Sequence, residues 1–398
     1  MAAELAASVL SVPHSRIREL ADIAFGMASD EEPVLRLYFG ESSQPTPAYI
    51  KQAAARALDA GFTFYTENAG LLSLREALAA YYQRMHQVAL DARREIVVTA
   101  SGVQALNVSI RCVLDPGDEA LVLTPAWPNG SSIIAMANAR AVAVPQPFIT
   151  GKASRYGIDW GALEAAVTPR TRLLLYTSPS NPLGWVATEE DQDRLLAFSR
   201  KHNLWLMADE VYERLWYEGG PDGTPVPSIL RKATRDDAVV VIQSFSKSYC
   251  MTGWRVGWLV APADLAQKAT QLNEFIVSHA AGFAQKAAET ALEGGEPEIA
   301  AMVRTLKSNR DYCLDMLGTM PRVSVPRPEG AFYLFPRIEG ITDSFEFCKR
   351  LLLETRVGLA PGAAFGPGGE GSIRICYAAD RTVLEPAMER LKAFLQRI

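Results

Sequence analysis

A chain of 398 residues, 48% hydrophobic and 21% charged, has the apolar mass for two or three domains and too much of it to stay disordered. Its formal charge of −5, without a basic cluster, argues against nucleic acid or an anionic membrane as the main partner. Cys112, Cys250, Cys313, Cys348 and Cys376 are odd in number and lack CxxC spacing, and His14, His86, His202 and His279 lack paired ligand spacing, so neither a disulfide framework nor a metal site is expected.

The first residues, "MAAELAASVLSVPHSRIREL", carry Glu4 where a signal peptide would be basic, and no run approaches the roughly 20 apolar residues of a membrane span. A cytoplasmic protein is the expectation. From residue 96 onward, strand-like runs alternate with helix-like stretches: "IVVT", "ALVLT", "AVAV", "RLLLYT", "LWLMAD", "AVVVIQ" and "RVGWLVA", with "GVQALNVSIRCVL" and "EEDQDRLLAFSRKHN" between them. That alternation predicts a mostly parallel sheet sandwiched between helices. After about residue 290 the texture changes to long charged helices around short strands near 332 and 373, a second, α+β unit. We find no internal repeat and no low-complexity segment.

The turns at the strand ends carry the unusual polar residues. In "VVTASGVQAL" a strand passes through Ser101 and Gly102 into a helix, so free amides and the helix dipole face one point; a plain N-cap gives the same pattern. In "SPSNPLG", Asn181 precedes Pro182, which marks a turn and a candidate cis bond. In "LWLMADEVYERL", Asp209 ends an apolar run and Tyr212 follows three residues on; a carboxylate there is either a helix cap or in need of a cationic partner. Past "AVVVIQ" comes "SFSKSYCMTGWRVG", with Lys247 between Ser246 and Ser248 and Arg255 eight residues later. Lysines beside serines are mostly solvated surface residues, but this one falls at the carboxyl end of a sheet strand, where open α/β sheets bind ligands. Near residue 366, "GAAFGPGGEG" precedes a strand and opens no helix, so it is not a dinucleotide fingerprint, and no GxxxxGK[ST] loop occurs.

Taken in order, "LYFGESSQPTP", "YTENAG", "TASGVQ", "LTPAWP", "SPSNPLG", "ADEVY", "SFSKSYCMTGWRVG" and "SIRICYA" resemble the fold type I pyridoxal-phosphate aminotransferases, in the class I/II branch that includes aspartate and aromatic aminotransferases. The resemblance implies a three-layer α/β/α large domain, residues 45–290, with a mostly parallel sheet. It implies a smaller α+β domain built from both termini, residues 291–398 joined by residues 1–44. The implied activity moves an amino group between an amino acid and a 2-oxo acid with pyridoxal 5'-phosphate as cofactor.

By the same resemblance, Lys247 carries the cofactor as an aldimine and shuttles the proton at the substrate Cα. Asp209 holds the pyridine nitrogen protonated, which tunes the ring as an electron acceptor. Tyr212 and Asn181 bond the ring's 3′ oxygen, and Trp127 stacks on the ring. Ser244, Ser246, Arg255 and the amides of Ser101, Gly102 and Val103 take the phosphate. Arg374 grips the α-carboxylate, with the Gly40 backbone close by; the family's usual proline after "GE" is Ser42 here. Tyr65 reaches the phosphate of a neighbouring subunit, which implies a homodimer with shared sites.

The motifs leave elimination, aminocyclopropane-carboxylate synthase-like chemistry and oxidative deamination open beside transamination. A non-catalytic regulator of the same fold would usually carry a fused DNA-binding module, for which there is no room before residue 35. For the substrate side chain, some family members read a second carboxylate with an arginine ahead of the "QKAA" segment or a lysine before the glutamine of "SGxQ". Here "FIVSHAAGFAQKAA" has no arginine and the second position is Val103, so neutral or aromatic amino acids are expected ahead of aspartate. A pocket residue from the N-terminal segment around Ile17 would alter that.

Overall fold

The computed structural model describes residues 5–10, 12–27, 32–149 and 155–397. The seven apolar runs become the seven strands of one sheet: β1 (Ile96–Thr99), β2 (Glu119–Thr124), β3 (Arg140–Pro145), β4 (Thr171–Thr177), β5 (Trp205–Asp209), β6 (Val239–Ser244) and β7 (Gly257–Val260). Their spatial order is β1-β7-β6-β5-β4-β2-β3. Strands β2 to β6 pair in parallel, whereas β7 runs antiparallel to both β1 and β6. The reversal follows from the connection: residues 245–256 hold only the short helical turn Thr252–Trp254, and without a crossover helix the chain returns antiparallel.

Alternate residues of each strand enter different cores, as period-two geometry demands. Ile96, Val98, Val239, Val241, Trp258 and Val260 join the larger cluster, while Val97, Val240, Ile242 and Leu259 join the other. The second face is covered by the helices Gly102–Val113 and Ala263–Ile276 through Ala105, Leu106, Leu265 and Ala269. The first is covered by Leu72–His86, Glu189–His202 and Gly282–Gly294 through Leu78, Tyr82, Leu195 and Ala288. Helix Glu189–His202 begins at a capping box between Thr188 and Asp191 and ends with Arg200, Lys201 and His202 in its last turn, so local sequence and helix dipole agree. With both faces covered, the strands read as continuous apolar runs.

The C-terminal unit surrounds Ile373–Cys376, which lies between the antiparallel neighbours Tyr333–Leu334 and Ala360–Pro361. Helices Glu296–Gly318, Ser344–Thr355 and Arg381–Leu395 pack around it. From the other end of the chain, Leu35–Arg36 pairs in parallel with Val357–Gly358, and helix Arg16–Met27 buries Leu20, Ala21 and Ala24. Beneath the sheet's carboxyl edge, Glu213 accepts from the Tyr81 hydroxyl at 2.6 Å and meets His86 Nε2 at 2.9 Å, while Arg214 is fully buried on the Gly223 carbonyl and Glu296. These charges are internally paired, as burial requires.

One close approach joins the sheet to the helix that starts after β1. At Gly257, the first residue of β7, a Cβ would stand 2.3 Å from the Gly102 amide nitrogen and 2.8 Å from the Gln243 carbonyl oxygen. Both neighbours are backbone and cannot rotate away. We therefore expect Gly257→Ala to lower stability by at least about 2 kcal/mol, read as a shift in urea midpoint at fixed protein concentration. Wild-type stability would show that the strand can move aside.

Candidate active site

A cavity of about 800 Å3 opens at the carboxyl ends of β4, β5 and β6, where Thr177, Asp209 and Ser244 meet the start of helix Gly102–Val113. Ligands of open α/β sheets bind at this edge because the helix N-termini there present free amides.

At one end the donors for an anion converge. Gly102 and Val103 line the cavity as the first residues of their helix, and Ser101 caps it, its Oγ accepting from the Gln104 amide at 3.2 Å. Ser244 Oγ donates to Ser246 Oγ at 2.8 Å and accepts from the Ser246 amide at 3.0 Å. Arg255 closes this end in a left-handed conformation, φ 55°, with Nη1 bound to the Thr252 carbonyl at 2.6 Å. Among the described residues no carboxylate pairs with its guanidinium. Helix amides, hydroxyls and an unpaired guanidinium together suit a phosphate dianion.

In the middle stand Lys247 and Asp209. Lys247 Nζ donates to the Gly40 carbonyl at 2.5 Å and lies 5.6 Å from the centre of the Tyr212 ring and 5.8 Å from that of Phe332. Burial lowers its pKa to about 8, although Cys376, Glu41 and Asp209 pull the other way. The same burial pushes Asp209 up to about 7, because its one direct hydrogen bond is a long one, 3.4 Å, from the Val211 amide. This carboxylate has no cation within ion-pair distance among the described residues.

The other end is built by residues far apart in sequence. Arg374, on the central strand of the small sheet, is buried; its Nη1 donates to Asn181 Oδ1 at 3.0 Å and its Nη2 to the Tyr38 carbonyl, while Nε has no partner. The guanidinium sits over the Tyr333 ring at 4.6 Å and the Phe365 ring at 4.9 Å. The Tyr212 and Tyr333 hydroxyls are 2.7 Å apart, and burial holds the Tyr212 phenol well above its ordinary pKa. Gly40 must lack a side chain, since a Cβ would stand 2.2 Å from the Tyr333 hydroxyl.

Twelve of the fourteen residues expected at the site line this cavity: Gly40, Gly102, Val103, Trp127, Asn181, Asp209, Tyr212, Ser244, Ser246, Lys247, Arg255 and Arg374. Ser101 stands behind it as the helix cap. Tyr65 is not part of it: the ring is 91% exposed, edge-on to His279 at 5.7 Å. The Asn181–Pro182 bond is cis. Sequence reasoning missed Tyr333, Tyr38 and Arg18, which also line the cavity. The aromatic run "AFYLFP" looks like core, and only chain closure brings Tyr333 to Tyr212, 121 residues away.

The whole arrangement has counterparts. Residues 32–391 match the family model for aminotransferase class I and II. The chain is 34% identical over 389 residues to a probable N-acetyl-LL-diaminopimelate aminotransferase of Bacillus subtilis, covering 96% of this chain and 95% of that protein. It is 34% identical over 385 residues to aromatic-amino-acid aminotransferase 2 of Thermococcus litoralis, covering 96% of both. Among solved structures, the aspartate aminotransferase of Thermotoga maritima superposes with a TM-score of 0.90 at 32% identity, over 98% of this chain and all of that one.

Pyridoxal phosphate fits the residues present. The unpaired Arg255 and the donors beside it suit its phosphate, and Asp209, a buried carboxylate short of a cationic partner, suits its protonated ring nitrogen. Without the cofactor Asp209 is a liability whose size depends on pH. A carboxyl held above its unfolded value favours folding at low pH and loses that contribution as pH rises through about 7. Cofactor-free Asp209→Asn escapes the loss. Its stability relative to cofactor-free wild type should therefore improve between pH 5 and pH 8 by on the order of 2–3 kcal/mol. Parallel pH profiles in denaturant unfolding would refute this account of the site.

Proposed function

We propose, since this chain belongs to the class I and II aminotransferase family, that its pyridoxal-phosphate-dependent amino-group transfer is carried out in the 800 Å3 cavity by Lys247, Asp209, Tyr212 and Arg374. The observation that carries this reading is the convergence of Lys247, Asp209, Arg255 and Arg374 on one cavity from three separate segments of the chain. Bound pyridoxal phosphate supplies a ring that accepts the electron pair left when the substrate Cα loses its proton.

The protein's residues do the rest. Lys247 is the attachment point, and its lowered pKa leaves a substantial neutral fraction near pH 8 to take the proton from Cα and return it. Asp209 keeps a proton on the ring nitrogen, whose positive charge in turn keeps the carboxylate ionised. Arg374 takes the α-carboxylate in its guanidinium fork, held in orientation by Asn181, the Tyr38 carbonyl and the Tyr333 ring. Tyr212 and Asn181 address the ring's 3′ oxygen, and Tyr333 fixes where the Tyr212 hydroxyl points. Trp127 covers the ring, while Ser244, Ser246, Arg255 and the amides of Gly102 and Val103 hold the phosphate; the Ser101 amide, expected to join them, is spent on the Thr99 carbonyl at 2.8 Å.

The donor is an L-amino acid with a neutral or aromatic side chain, which the wall of Ile17, Tyr38 and Phe39 supports. The large domain spans residues 45–290, and residues 1–44 and 291–398 form the small one. The enzyme acts in the cytoplasm; no helix among the described residues is long and apolar enough to cross a membrane. It works as a homodimer with shared sites. Phe64, Tyr65 and Phe275 are 82%, 91% and 84% exposed, an apolar surface that a partner subunit would cover, with Tyr65 reaching into that partner's phosphate site.

Borohydride reduction of the holoenzyme, followed by peptide mapping, should place the pyridoxyl group on Lys247; a label on another lysine would sink the assignment. Supplied with leucine, methionine or phenylalanine and a 2-oxo acid, the enzyme should form the matching 2-oxo acid and a new amino acid in equal amounts. Release of ammonia instead would favour elimination or oxidation. Sedimentation velocity should give a dimer, with Tyr65→Ala weakening cofactor retention; a monomer with full activity would overturn the shared site.

A further inference from the structure

His279 bridges the two segments that carry the exposed apolar surface, and none of the roles above uses it. It lies between helices Ala263–Ile276 and Gly282–Gly294, in a turn held by the buried Asn273. The Asn273 carbonyl accepts from the Val277 and Ser278 amides at 3.0 and 2.9 Å, and its Nδ2 donates to the Ser278 carbonyl at 3.0 Å. Its Oδ1 accepts at 3.2 Å from Gln104 Nε2, in the first turn of helix Gly102–Val113, so the turn is braced against the phosphate end of its own subunit. The imidazole so presented is spent at both nitrogens. Nδ1 donates to the Ala280 carbonyl at 2.7 Å, which leaves Nε2 the unprotonated nitrogen, and Nε2 accepts from the Thr66 amide at 3.3 Å. The ring also stands edge-on to Tyr65, with centroids 5.7 Å apart at 87°.

We infer that His279 is a positioning residue for the cofactor phosphate of the neighbouring subunit, holding the backbone and ring of Tyr65 in the direction that the shared site requires. The inference rests on the reading of Tyr65 as a phosphate ligand across the dimer. A peptide unit is planar, so a bond to the Thr66 N–H fixes the plane that leaves the Tyr65 Cα. Of the backbone amides from Phe64 to Ala69, that of Thr66 alone has a partner among the described residues. Downstream the segment is pinned through carbonyls instead: Asn68 accepts from Asn273 Nδ2 at 3.2 Å and Ala69 from the Val98 amide at 2.9 Å. Gln285 donates to Thr66 Oγ1 at 3.3 Å, a side-chain contact that leaves the peptide plane free. A tyrosine 91% exposed has little else to direct it. One already aimed loses less freedom when it meets a ligand, and that saving appears as affinity.

The test titrates the full chain, freed of cofactor, with pyridoxal phosphate and with pyridoxal, which lacks the phosphate, following the visible absorbance. His279→Gln puts an amide oxygen where Nε2 sits and keeps the Thr66 bond, whereas His279→Asn keeps the Ala280 bond and falls short of Thr66. His279→Asn should weaken pyridoxal phosphate about fivefold, the worth of one hydrogen bond, and leave pyridoxal unmoved, while His279→Gln stays near wild type. Tyr65→Ala should show the same phosphate-specific loss, and adding His279→Asn to it should weaken binding no further, since the histidine acts through the tyrosine. The inference is overturned if His279→Asn binds pyridoxal phosphate as wild type does, if it weakens both ligands equally, if His279→Gln fails alongside it, or if the two losses add. The shared site itself fails, and this inference with it, if Tyr65→Ala leaves pyridoxal phosphate binding unchanged.

Discussion

Burying both faces of the central sheet confines polar chemistry to the strand ends. Along the inner strands the backbone groups are spent on ladders, and most side chains go to one of two apolar cores. A buried carboxylate or lysine enters where a strand begins or stops: Glu119 opens β2, and Asp209 and Lys247 stand at the last residue of β5 and just beyond β6. The antiparallel return of β7 then lays Gly257 against the Gly102 amide, bringing the helix that starts after β1 up to the same edge. The cavity is the place where these endings coincide.

One solvent-poor environment moves two charges in opposite directions. Desolvation lowers Lys247 to about 8 and raises Asp209 to about 7, so each group drifts toward its neutral form. For the lysine that drift is useful, since a proton acceptor must be neutral part of the time. For the aspartate, on the proposed reading, a cationic ring nitrogen would correct it. Binding free energy from the cofactor would then offset a cost already built into the folded chain.

Much of this was legible in the sequence because it is local. The seven strands, the helix after Ser101 and the motifs around Asp209 and Lys247 each occupy a few consecutive residues, and their order along the chain carried the family resemblance. Arg374 was readable because a guanidinium inside the apolar strand "SIRICYA" is costly without a function. Tyr333 and Arg18 were not, since neither departs from its local pattern: one is an aromatic residue in a core-like run, the other an arginine in an amphipathic helix. What makes them part of the site is closure of the chain over hundreds of residues, which periodicity does not encode. The direction of β7 was likewise set by a connection length rather than by any property of its own residues.

The parallel pairing of Leu35–Arg36 with Val357–Gly358 has a consequence for how the molecule is made. A ribosome delivers the N-terminal segment first, but its strand has no partner until more than three hundred residues have followed, so it waits unpaired. The sheet from β1 to β7, with Asp209 and Lys247, needs nothing beyond about residue 300 to close its ladders. Arg374, Tyr333 and the docked Arg18 come after. The half of the pocket proposed to hold the cofactor is thus assembled early, and the half proposed to hold the substrate is added last, by the two ends of the chain meeting.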